Sequence, residues 1–310
     1  MYSCPRRLSR TLLLSVAVLL LSASYLSANA DSFPLTITDS RGIEVVIAAP
    51  PKRIISLSPS LTEMLFAVGA GDAVRGVTTY CNYPEEVLSR EKIGGFSAKT
   101  ISIEMIVSLE PALVFADNSR HGSVVESLES YGITVLSTNA TSIEDAYHII
   151  EMVGAATGNR NQAASVVSDM RRRVAKVTDI TSQIPQEQRL RVFWEVFDEP
   201  LMTAGPSTFI GQLVELAGGA NVFADVTESW PKISHEVLLA RDPEVLMSSD
   251  SHGDKFTAEQ IKTRTGWQAL SAVENDMIFL FNGDMVSRPG PRIVDSLEAM
   301  AAALYPDLFR

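Results

Sequence analysis

Cysteine is almost absent from this sequence. Cys4 and Cys81 are the two cysteines among 310 residues, and Cys4 falls in an N-terminal segment that we expect to be removed. A single remaining thiol excludes an intramolecular disulfide, so the fold must be stabilised by burial of apolar side chains. For Cys81 itself two roles are open: a soft ligand for a metal centre, and a small buried thiol.

Positive charge is also scarce. The sequence carries 26 Lys and Arg against 37 Asp and Glu, a net charge of −11. Without residues 1–30, which hold three arginines and no acidic residue, the net charge is −14. A surface this acidic disfavours binding to nucleic acid or to an anionic lipid surface. It favours a soluble protein that meets a basic partner.

Motifs of hydrolytic enzymes are missing. The sequence contains no Gly-x-Ser-x-Gly, no His-Glu-x-x-His and no phosphate-binding Gly-x-x-x-x-Gly-Lys-[Ser/Thr]. The four histidines are scattered, without the close spacing of metal ligands. We therefore expect no metal site, no cofactor and no enzymatic activity, and an exported hydrolase is the less favoured alternative.

Long apolar runs are confined to the N terminus. Three arginines within the first ten residues precede the apolar run Thr11–Leu21, and Ala28-Asn29-Ala30 offers a small-x-small cleavage site. The run is too short to span a bilayer comfortably. Cys4 precedes it, so Cys4 is not the acylated cysteine of a lipoprotein signal. We predict a signal peptide over residues 1–30, cleavage after Ala30, and a periplasmic protein.

Two segments of the remaining chain alternate between strands and helices. Short apolar runs at Ile54–Leu57, Val74–Thr78, Leu113–Ala116 and Thr134–Leu136 predict buried strands in the first, and Val192–Val196, Val245–Met247 and Ile278–Phe281 do so in the second. Such alternation predicts parallel sheets flanked by helices. After the first run, Ser60 or Thr62 suits a helix N-cap, and Gly69 suits the end of that helix.

One long helix is predicted between the two segments. Residues 159–184 contain no Gly and no Pro, and apolar residues from Ala163 to Val177 recur at steps of three and four. We predict an α/β fold with two Rossmann-like lobes, each a central sheet flanked by helices, joined by this interdomain helix. The predicted boundaries are 31–156 for the N-terminal lobe, 157–184 for the linking helix and 185–310 for the C-terminal lobe.

Two stretches from opposite halves of the chain resemble each other. Ile101–Val114 and Ile233–Leu246 both read Ile-Ser-x-Glu, then an apolar stretch, then an acidic residue and proline before an apolar strand. Ser102 and Ser234 suit N-caps, which places Glu104 and Glu236 in first helical turns, where the helix dipole favours carboxylates. Helix capping alone accounts for the pattern. Two pseudo-symmetric carboxylates also suit a two-fold symmetric basic partner.

The segment Arg53–Glu63, with the sequence RIISLSPSLTE, resembles the opening strand and helix of the periplasmic binding proteins for vitamin B12 and ferric siderophores. The resemblance continues in order through Tyr83-Pro84, the Glu104 segment, Gly218–Asn221, the Glu236 segment and Ser287–Arg292. It implies two lobes joined by one long helix, and delivery of a solute to an ABC permease dimer at the inner membrane. The family's docking glutamates, which pair with permease arginines, match Glu104 and Glu236. We expect a monomeric receptor.

Within this family the vitamin B12 receptors look most similar, which implies cobalamin as the cargo. Their ligand-contacting positions match Tyr80, Phe96, Met202, Trp230, Asp284 and Arg288. Flat aromatic surfaces suit a planar ring, and a few polar groups fix its orientation. Other roles remain open, since Tyr80 and Phe96 could belong to the core and Arg288 could pair with Asp284. Met202 departs from the family's pattern, because those receptors carry an aromatic residue there.

A ferric siderophore or haem is the alternative cargo. An anionic siderophore complex needs arginine or lysine to neutralise it, and the candidates are Arg120, Arg288, Arg292 and Lys99. Arg292 also suits a role in supporting a helix start. Haem needs a Tyr or His axial ligand, and the candidates are Tyr80, His121, His148 and His235. No spacing in the sequence singles out one of them.

Overall fold

The computed structural model describes residues 32–250 and 257–309; the predicted signal peptide lies outside them. A two-stranded antiparallel hairpin comes first, formed by β1 (Leu35–Thr38) and β2 (Glu44–Ile47). Asp39 closes the hairpin by accepting the backbone N–H of Arg41 at 2.8 Å. The same carboxylate accepts the backbone N–H of Ser137 at 3.3 Å, which joins the hairpin to the first lobe.

The first lobe is built on a five-stranded parallel sheet in the order β5-β4-β3-β6-β7. Its strands are β3 (Ile54–Ser56), β4 (Val74–Val77), β5 (Glu91–Lys92), β6 (Leu113–Asp117) and β7 (Val135–Thr138). Its helices are α1 (Pro59–Ala67), α2 (Ile103–Ser108), α3 (Asn118–Ser130) and α4 (Ile143–Thr157). Four of these strands fall on the predicted apolar runs. Their carboxyl ends meet at one edge, the edge at which open α/β sheets bind ligands.

The start of α1 differs from the prediction. Ser58 occupies the N-cap position, and Pro59 is the first helical residue, so the predicted caps Ser60 and Thr62 are wrong. Proline suits the first position because it lacks the N–H that would otherwise need a partner and its φ is already helical. The hydroxyl of Thr62 instead donates to the carbonyl of Ser58 at 3.0 Å. Gly69 follows the helix with φ of 82°, as predicted.

The long helix α5 (Arg160–Thr181) connects the two sheets in the chain. It is separated from α4 by Gly158, which has φ of 77° and ends α4 in the left-handed conformation. It ends at Thr181, earlier than predicted. Pro185 has no N–H to donate to the carbonyl of Thr181, four residues earlier, and its ring would clash with that carbonyl in a continued helix. Within α5, Ala163, Val167, Met170 and Val177 are buried on the predicted face, with Val166 and Val174 packed beside them.

The second lobe repeats the architecture. Its strands are β8 (Arg191–Asp198), β9 (Leu201–Thr203), β10 (Ala220–Asn221), β11 (Val245–Ser249) and β12 (Ile278–Phe281). β10-β8-β11-β12 are parallel neighbours, and β9 pairs antiparallel with β8. Its helices are α6 (Phe209–Leu216), α7 (His235–Arg241), α8 (Ala258–Lys262), α9 (Ser271–Glu274), α10 (Gly283–Val286) and α11 (Ile293–Leu304).

One apolar cluster is continuous across both lobes. It includes Leu65 of α1, Val153 of α4, Val167 of α5 and Leu297 of α11, all nearly inaccessible to solvent. Both sheets therefore pack against a shared core that contains the connecting helix. A core of this kind resists independent movement of the lobes, because close-packed interiors deform little.

The two Ile-Ser-x-Glu repeats lie at equivalent places in the two lobes. Each helix is followed by an acidic residue with positive φ, 44° at Glu110 and 40° at Asp242. The backbone N–H of Ala112 then donates to the carbonyl of Arg53 at 2.8 Å, and in the second lobe Glu244 donates to Arg191 at the same distance. The internal repeat of the sequence is therefore a repeat of structure, and it places one first-turn glutamate on each lobe.

Candidate ligand-binding cleft and lobe-tip surfaces

A cavity of about 520 Å³ lies between the two lobes. The first lobe contributes residues at or beyond the ends of β3, β4, β5, β6 and β7, and the second contributes residues around α6, the segment before α7, and α10. The aromatic and charged side chains that line it include Tyr80, Phe96, Asp117, Arg120, Phe209, Trp230, Asp284 and Arg288, and a set of hydroxyl side chains lines it as well. The cavity therefore lies at the carboxyl ends of the first lobe's parallel strands, where the fold leads one to expect a ligand.

The first-lobe wall of the cavity is aromatic. The rings of Tyr80 and Phe96 meet edge to face with centroids 6.1 Å apart. The guanidinium of Arg120 lies 4.8 Å from the centre of the Phe96 ring. Tyr80 is 60% exposed, which a core residue would not be. Its ring is available to contact a ligand, and the Phe96 ring supports it from the side.

Beneath Phe96 lies His121, which is fully buried. Its Nδ1 accepts the backbone N–H of Asp117 at 3.2 Å, so its Nε2 carries the proton and donates to the carbonyl of Phe96 at 3.1 Å. Burial is the main cause that lowers the pKa of His121. Both ring nitrogens are engaged, so His121 supports the aromatic wall and is not free to ligate a metal.

The second-lobe wall presents Trp230, which is 46% exposed. Its segment is held beside β9 by backbone hydrogen bonds, in which Thr203 donates to the carbonyl of Pro231 at 3.2 Å and Gly205 to that of Ser229 at 2.9 Å. Half-buried Phe209 lines the same side at the start of α6. The aromatic surfaces of the two lobes are thus both directed to one cavity.

Met202 does not line the cavity. It lies half-buried in β9 and forms an isolated bridge with Lys232, in the segment that carries Trp230. Its neighbours Leu201 and Thr203 are buried and do not line the cavity either. Its predicted contact with the ligand stays a prediction.

Asp284 and Arg288 lie one helical turn apart at the edge of the cavity. The Arg288 guanidinium donates to Asp284 Oδ1 at 2.5 Å and, in the other lobe, to Asn82 Oδ1 at 2.8 Å and the carbonyl of Tyr80 at 3.1 Å. It also donates to Glu63 Oε1 at 3.0 Å. Arg288 therefore has the acid partner that the sequence left open, and its contacts with the first lobe could not be seen in the sequence.

The charged side chains of the cavity occur as ion pairs. Arg120 lies 3.6 Å from Asp117, and Arg288 pairs with Asp284 and Glu63. Arg292, a candidate for binding an anionic cargo, has both carboxylate oxygens of Glu63 as acceptors and is not among the lining residues. Arg292 is also the N-cap residue of α11, where its carbonyl accepts the backbone N–H of Asp295 at 3.0 Å, so it lies at a helix start as predicted. The cavity therefore offers hydrogen-bonding groups with little net charge.

Hydroxyl and amide groups on the cavity wall were not predicted from the sequence. They are Ser58, Ser60, Ser119, Asn139, Thr141, Ser207, Thr208, Ser229 and Ser287. Several of them follow a strand directly or begin a helix, as Ser58 does after β3 and Asn139 after β7. That position at the carboxyl end of a predicted parallel strand was the signal that could have identified them.

Glu104 and Glu236 lie outside the cavity, in the exposed first turns of α2 and α7. Ser102 and Ser234 cap these helices, as predicted, by accepting the N–H of Met105 at 3.2 Å and of Val237 at 3.3 Å. A hydrogen bond from Ser234 lowers the pKa of Glu236. Each glutamate is followed by an exposed apolar side chain, 40% exposed at Met105 and 43% at Val237.

Cys81 is buried, with its Sγ 3.2 Å from the hydroxyls of both Thr62 and Thr78. It is not among the residues that line the cavity. Within the described residues, no group of three or more His, Cys, Asp and Glu side chains could hold a metal ion. Of the two roles open for Cys81, the geometry matches the small buried thiol.

Across residues 32–250 and 257–309, no helix combines the length and the apolarity needed to cross a bilayer.

A family model described as periplasmic binding protein matches residues 54–284. The chain is 34% identical over 283 residues to an ABC transporter substrate-binding lipoprotein of Bacillus subtilis (strain 168), covering 90% of this chain and 88% of the relative. It is 33% identical over 279 residues to a cobalamin-binding protein of Halobacterium salinarum, covering 88% and 75%. The crystal structure of the periplasmic vitamin B12-binding protein of Vibrio cholerae superposes with a TM-score of 0.71 and 28% identity, covering 83% of this chain and 98% of that one.

Proposed function

Because the chain belongs to the periplasmic binding protein family, we propose that it captures a corrinoid, cobalamin, between its lobes and delivers it to an ABC permease. Proteins of this family bind solutes and are not enzymes, so the hydrolase alternative is rejected. Substrate-binding proteins of ABC importers hand small-molecule cargo to a permease. The cargo of the relatives named for cobalamin or vitamin B12 supports the choice of corrinoid.

The observation that carries the proposal is the pair of aromatic surfaces on opposite sides of the cavity. Tyr80 and Phe96 form the surface of the first lobe, and Trp230 and Phe209 that of the second. A flat macrocycle contacts such surfaces with a large apolar area and little loss of side-chain freedom. The hydroxyls and Asn139 around them suit the amide groups on the rim of a corrin ring, which both donate and accept hydrogen bonds.

The charge of the cavity favours a corrinoid over the alternative cargoes. An anionic siderophore complex or the carboxylates of haem need cations that are not already engaged, whereas Arg120 and Arg288 each pair with a carboxylate. Haem also needs an axial ligand, and the hydrogen bonds of His121 occupy both its ring nitrogens. Tyr80 is the remaining axial candidate among the lining residues.

We propose further that Glu104 and Glu236 dock the receptor on the permease. One lies on each lobe, outside the cavity and exposed. A permease dimer with one basic site on each subunit would match this arrangement. Exposed Met105 and Val237 would add an apolar contact beside each ion pair. Export by the predicted signal peptide would place a monomeric receptor in the periplasm, where it meets this partner.

Isothermal titration calorimetry on residues 31–310 tests the choice of cargo. Cyanocobalamin, a ferric hydroxamate and haem are titrated into separate samples of the same preparation. We expect cyanocobalamin to bind with one site per chain, and the other two to bind more weakly by at least tenfold (an estimate from about 1.4 kcal/mol for each factor of ten). Tight binding of haem or the hydroxamate, with no cyanocobalamin binding at micromolar concentrations, would replace the corrinoid by that cargo.

A further inference from the structure

Two segments near opposite ends of the chain meet at one carboxylate between the lobes. Glu63 lies in α1 of the first lobe, and Arg288 and Arg292 flank the Pro-Gly-Pro segment of the second. Arg292 donates to both oxygens of Glu63, Nε to Oε2 at 2.9 Å and a terminal nitrogen to Oε1 at 2.6 Å. Arg288 donates to Oε1 at 3.0 Å. One acid of the first lobe is therefore held by two cations of the second.

This contact is shielded from water. The side chain of Glu63 is 2% exposed, that of Arg288 10% and that of Arg292 19%. The ring of Tyr83 covers Arg292, with its centre 4.0 Å from the guanidinium carbon. Gly290 comes so close that a Cβ there would lie 3.7 Å from Oε2 of Glu63. A shielded carboxylate with three charged hydrogen bonds is costly to separate from its partners, because it would remain buried without them.

The same contact reaches the wall of the cavity. Arg288 lines the cavity and also donates to Asp284 and, across the cleft, to Asn82. Asn82 in turn donates to Asp284 Oδ2 at 2.6 Å. The position of the polar edge of the cavity thus depends on where Glu63 holds Arg288. Two acids and two arginines make up this network, so its formal charge is zero.

We propose that Glu63 is the positioning residue of the cleft: its carboxylate fixes the second lobe on the first and keeps Arg288 engaged, so that the cavity selects a cargo without net negative charge. This inference rests on the proposed function for its statement about cargo. Two of the segments that carry the family resemblance, Arg53–Glu63 and Ser287–Arg292, supply the residues of this contact between the lobes. The contact of Glu63 with Arg288 and Arg292 would hold the two lobes, and with them Glu104 and Glu236, at a fixed distance from each other.

The distance between the lobes tests the positioning role without any cargo. Spin labels are attached to cysteines introduced at Glu126 and Glu215, exposed sites on α3 and α6, in a Cys81→Ser background. Pulsed dipolar spectroscopy then measures their separation in the unliganded protein. We expect Glu63→Gln to broaden the distribution and lengthen its mean. The amide carries no charge and has one acceptor oxygen, and its NH2 group would face an arginine N–H. Glu298→Gln is the matched control and should leave the distribution unchanged. It removes one of the two carboxylates of α11 that pair with Arg173 on α5, and Asp295 remains.

Circular dichroism and thermal unfolding establish that each variant is folded. Should Glu63→Gln fail to fold, Arg292→Lys takes its place, because lysine keeps the charge but loses the two-pronged geometry. It should broaden the distribution to a smaller extent. A folded variant of Glu63 or Arg292 whose distances match those of the parent overturns the positioning role.

Cargo selectivity is the second readout. In Glu63→Gln the network has one net positive charge, and Arg288 keeps Asp284 as its one acidic partner. The ratio of haem affinity to cyanocobalamin affinity should therefore rise about tenfold, as expected for one charge-assisted hydrogen bond. An unchanged ratio overturns the selectivity role. If the parent does not bind cyanocobalamin at all, the proposed cargo fails, and the distance measurement still decides the role of Glu63.

Discussion

His121 donates its Nε2–H to the backbone carbonyl of Phe96 at 3.1 Å, across 25 positions of sequence. This bond joins the N-terminal half of α3 to the loop that carries the aromatic wall of the cavity. Nδ1 accepts the backbone N–H of Asp117, so the neutral ring satisfies both contacts and a charged ring would satisfy one. The wall of the cavity therefore depends on a histidine that stays neutral.

The first prediction concerns pH. Burial lowers the pKa of His121 from 6.5, so below pH 6.5 the unfolded chain takes up a proton that the folded chain does not. The free energy of unfolding should therefore decrease as pH falls below 6.5. Asp117 opposes this shift and Arg120 favours it. Denaturant unfolding at pH 7.5 and 5.5 measures the loss.

His121→Gln should reduce the decrease in the free energy of unfolding between pH 7.5 and 5.5, because it removes the contribution of His121. His148→Gln should not. His148 is the matched control, because it lies exposed on α4 near Glu144 and Glu151. Equal pH dependence in the parent and in His121→Gln would show that other groups account for the whole effect.

The sequence was most informative about local structure. Apolar runs located seven strands of the two sheets but not the short strands β5, β9 and β10, and the spacing of apolar residues located α5. Ser102 and Ser234 were recognised as caps, because a cap acts within three residues. The fold class is confirmed, since the structure matches the two-lobed binding proteins. These features share a cause: each depends on residues that are close together in the sequence.

Contacts between distant segments could not be predicted. Arg288 and Glu63 are 225 positions apart, and the pairing of Arg288 with the first lobe follows only from the packing of the lobes. For the same reason the sequence could not show that Met202 is not among the residues that line the cavity. The hydroxyls of the cavity wall were missed because serine and threonine are common in loops.

The second prediction concerns the aromatic wall. Trp230→Ala and Tyr80→Ala should each weaken cyanocobalamin binding by roughly 10- to 100-fold, as expected from losing about 1.5–3 kcal/mol of buried aromatic contact. Phe197→Ala is the control, because Phe197 is 40% exposed but is not among the cavity residues. Calorimetric titration measures the dissociation constants. Full affinity in both cavity variants would place the cargo elsewhere.

The third prediction concerns Glu195, a buried acid in β8 whose Oε2 accepts from Arg264 at 2.6 Å. Arg264→Met should destabilise the fold by about 3–5 kcal/mol, because it leaves a buried charge without its cation. Arg172→Met removes an exposed pair with Asp169 and should cost less than about 1 kcal/mol. Denaturant unfolding measures both values.

Burial raises the pKa of Glu195 even beside Arg264, so the folded state binds a proton more readily than the unfolded state does. The difference in the free energy of unfolding between the parent and Arg264→Met should therefore become smaller as pH falls toward 4.5 and the Glu195 carboxyl becomes neutral. Glu195→Gln in the Arg264→Met background should recover part of the stability at pH 7. A double variant no more stable than Arg264→Met would indicate that the lost packing of the arginine, rather than its charge, causes the deficit.

The last prediction concerns docking. Glu104→Ala and Glu236→Ala should leave the cyanocobalamin affinity within about twofold of the parent, because neither residue lines the cavity. Each should weaken binding to the cognate permease in nanodiscs by about tenfold or more, and the remaining affinity should respond less to salt.

Glu126→Ala with Glu215→Ala is the matched control, since it also removes one exposed acid from each lobe. If both pairs of variants weaken the complex equally, the general acidity of the surface attracts the permease, and Glu104 and Glu236 return to the helix-start role that Ser102 and Ser234 already explain.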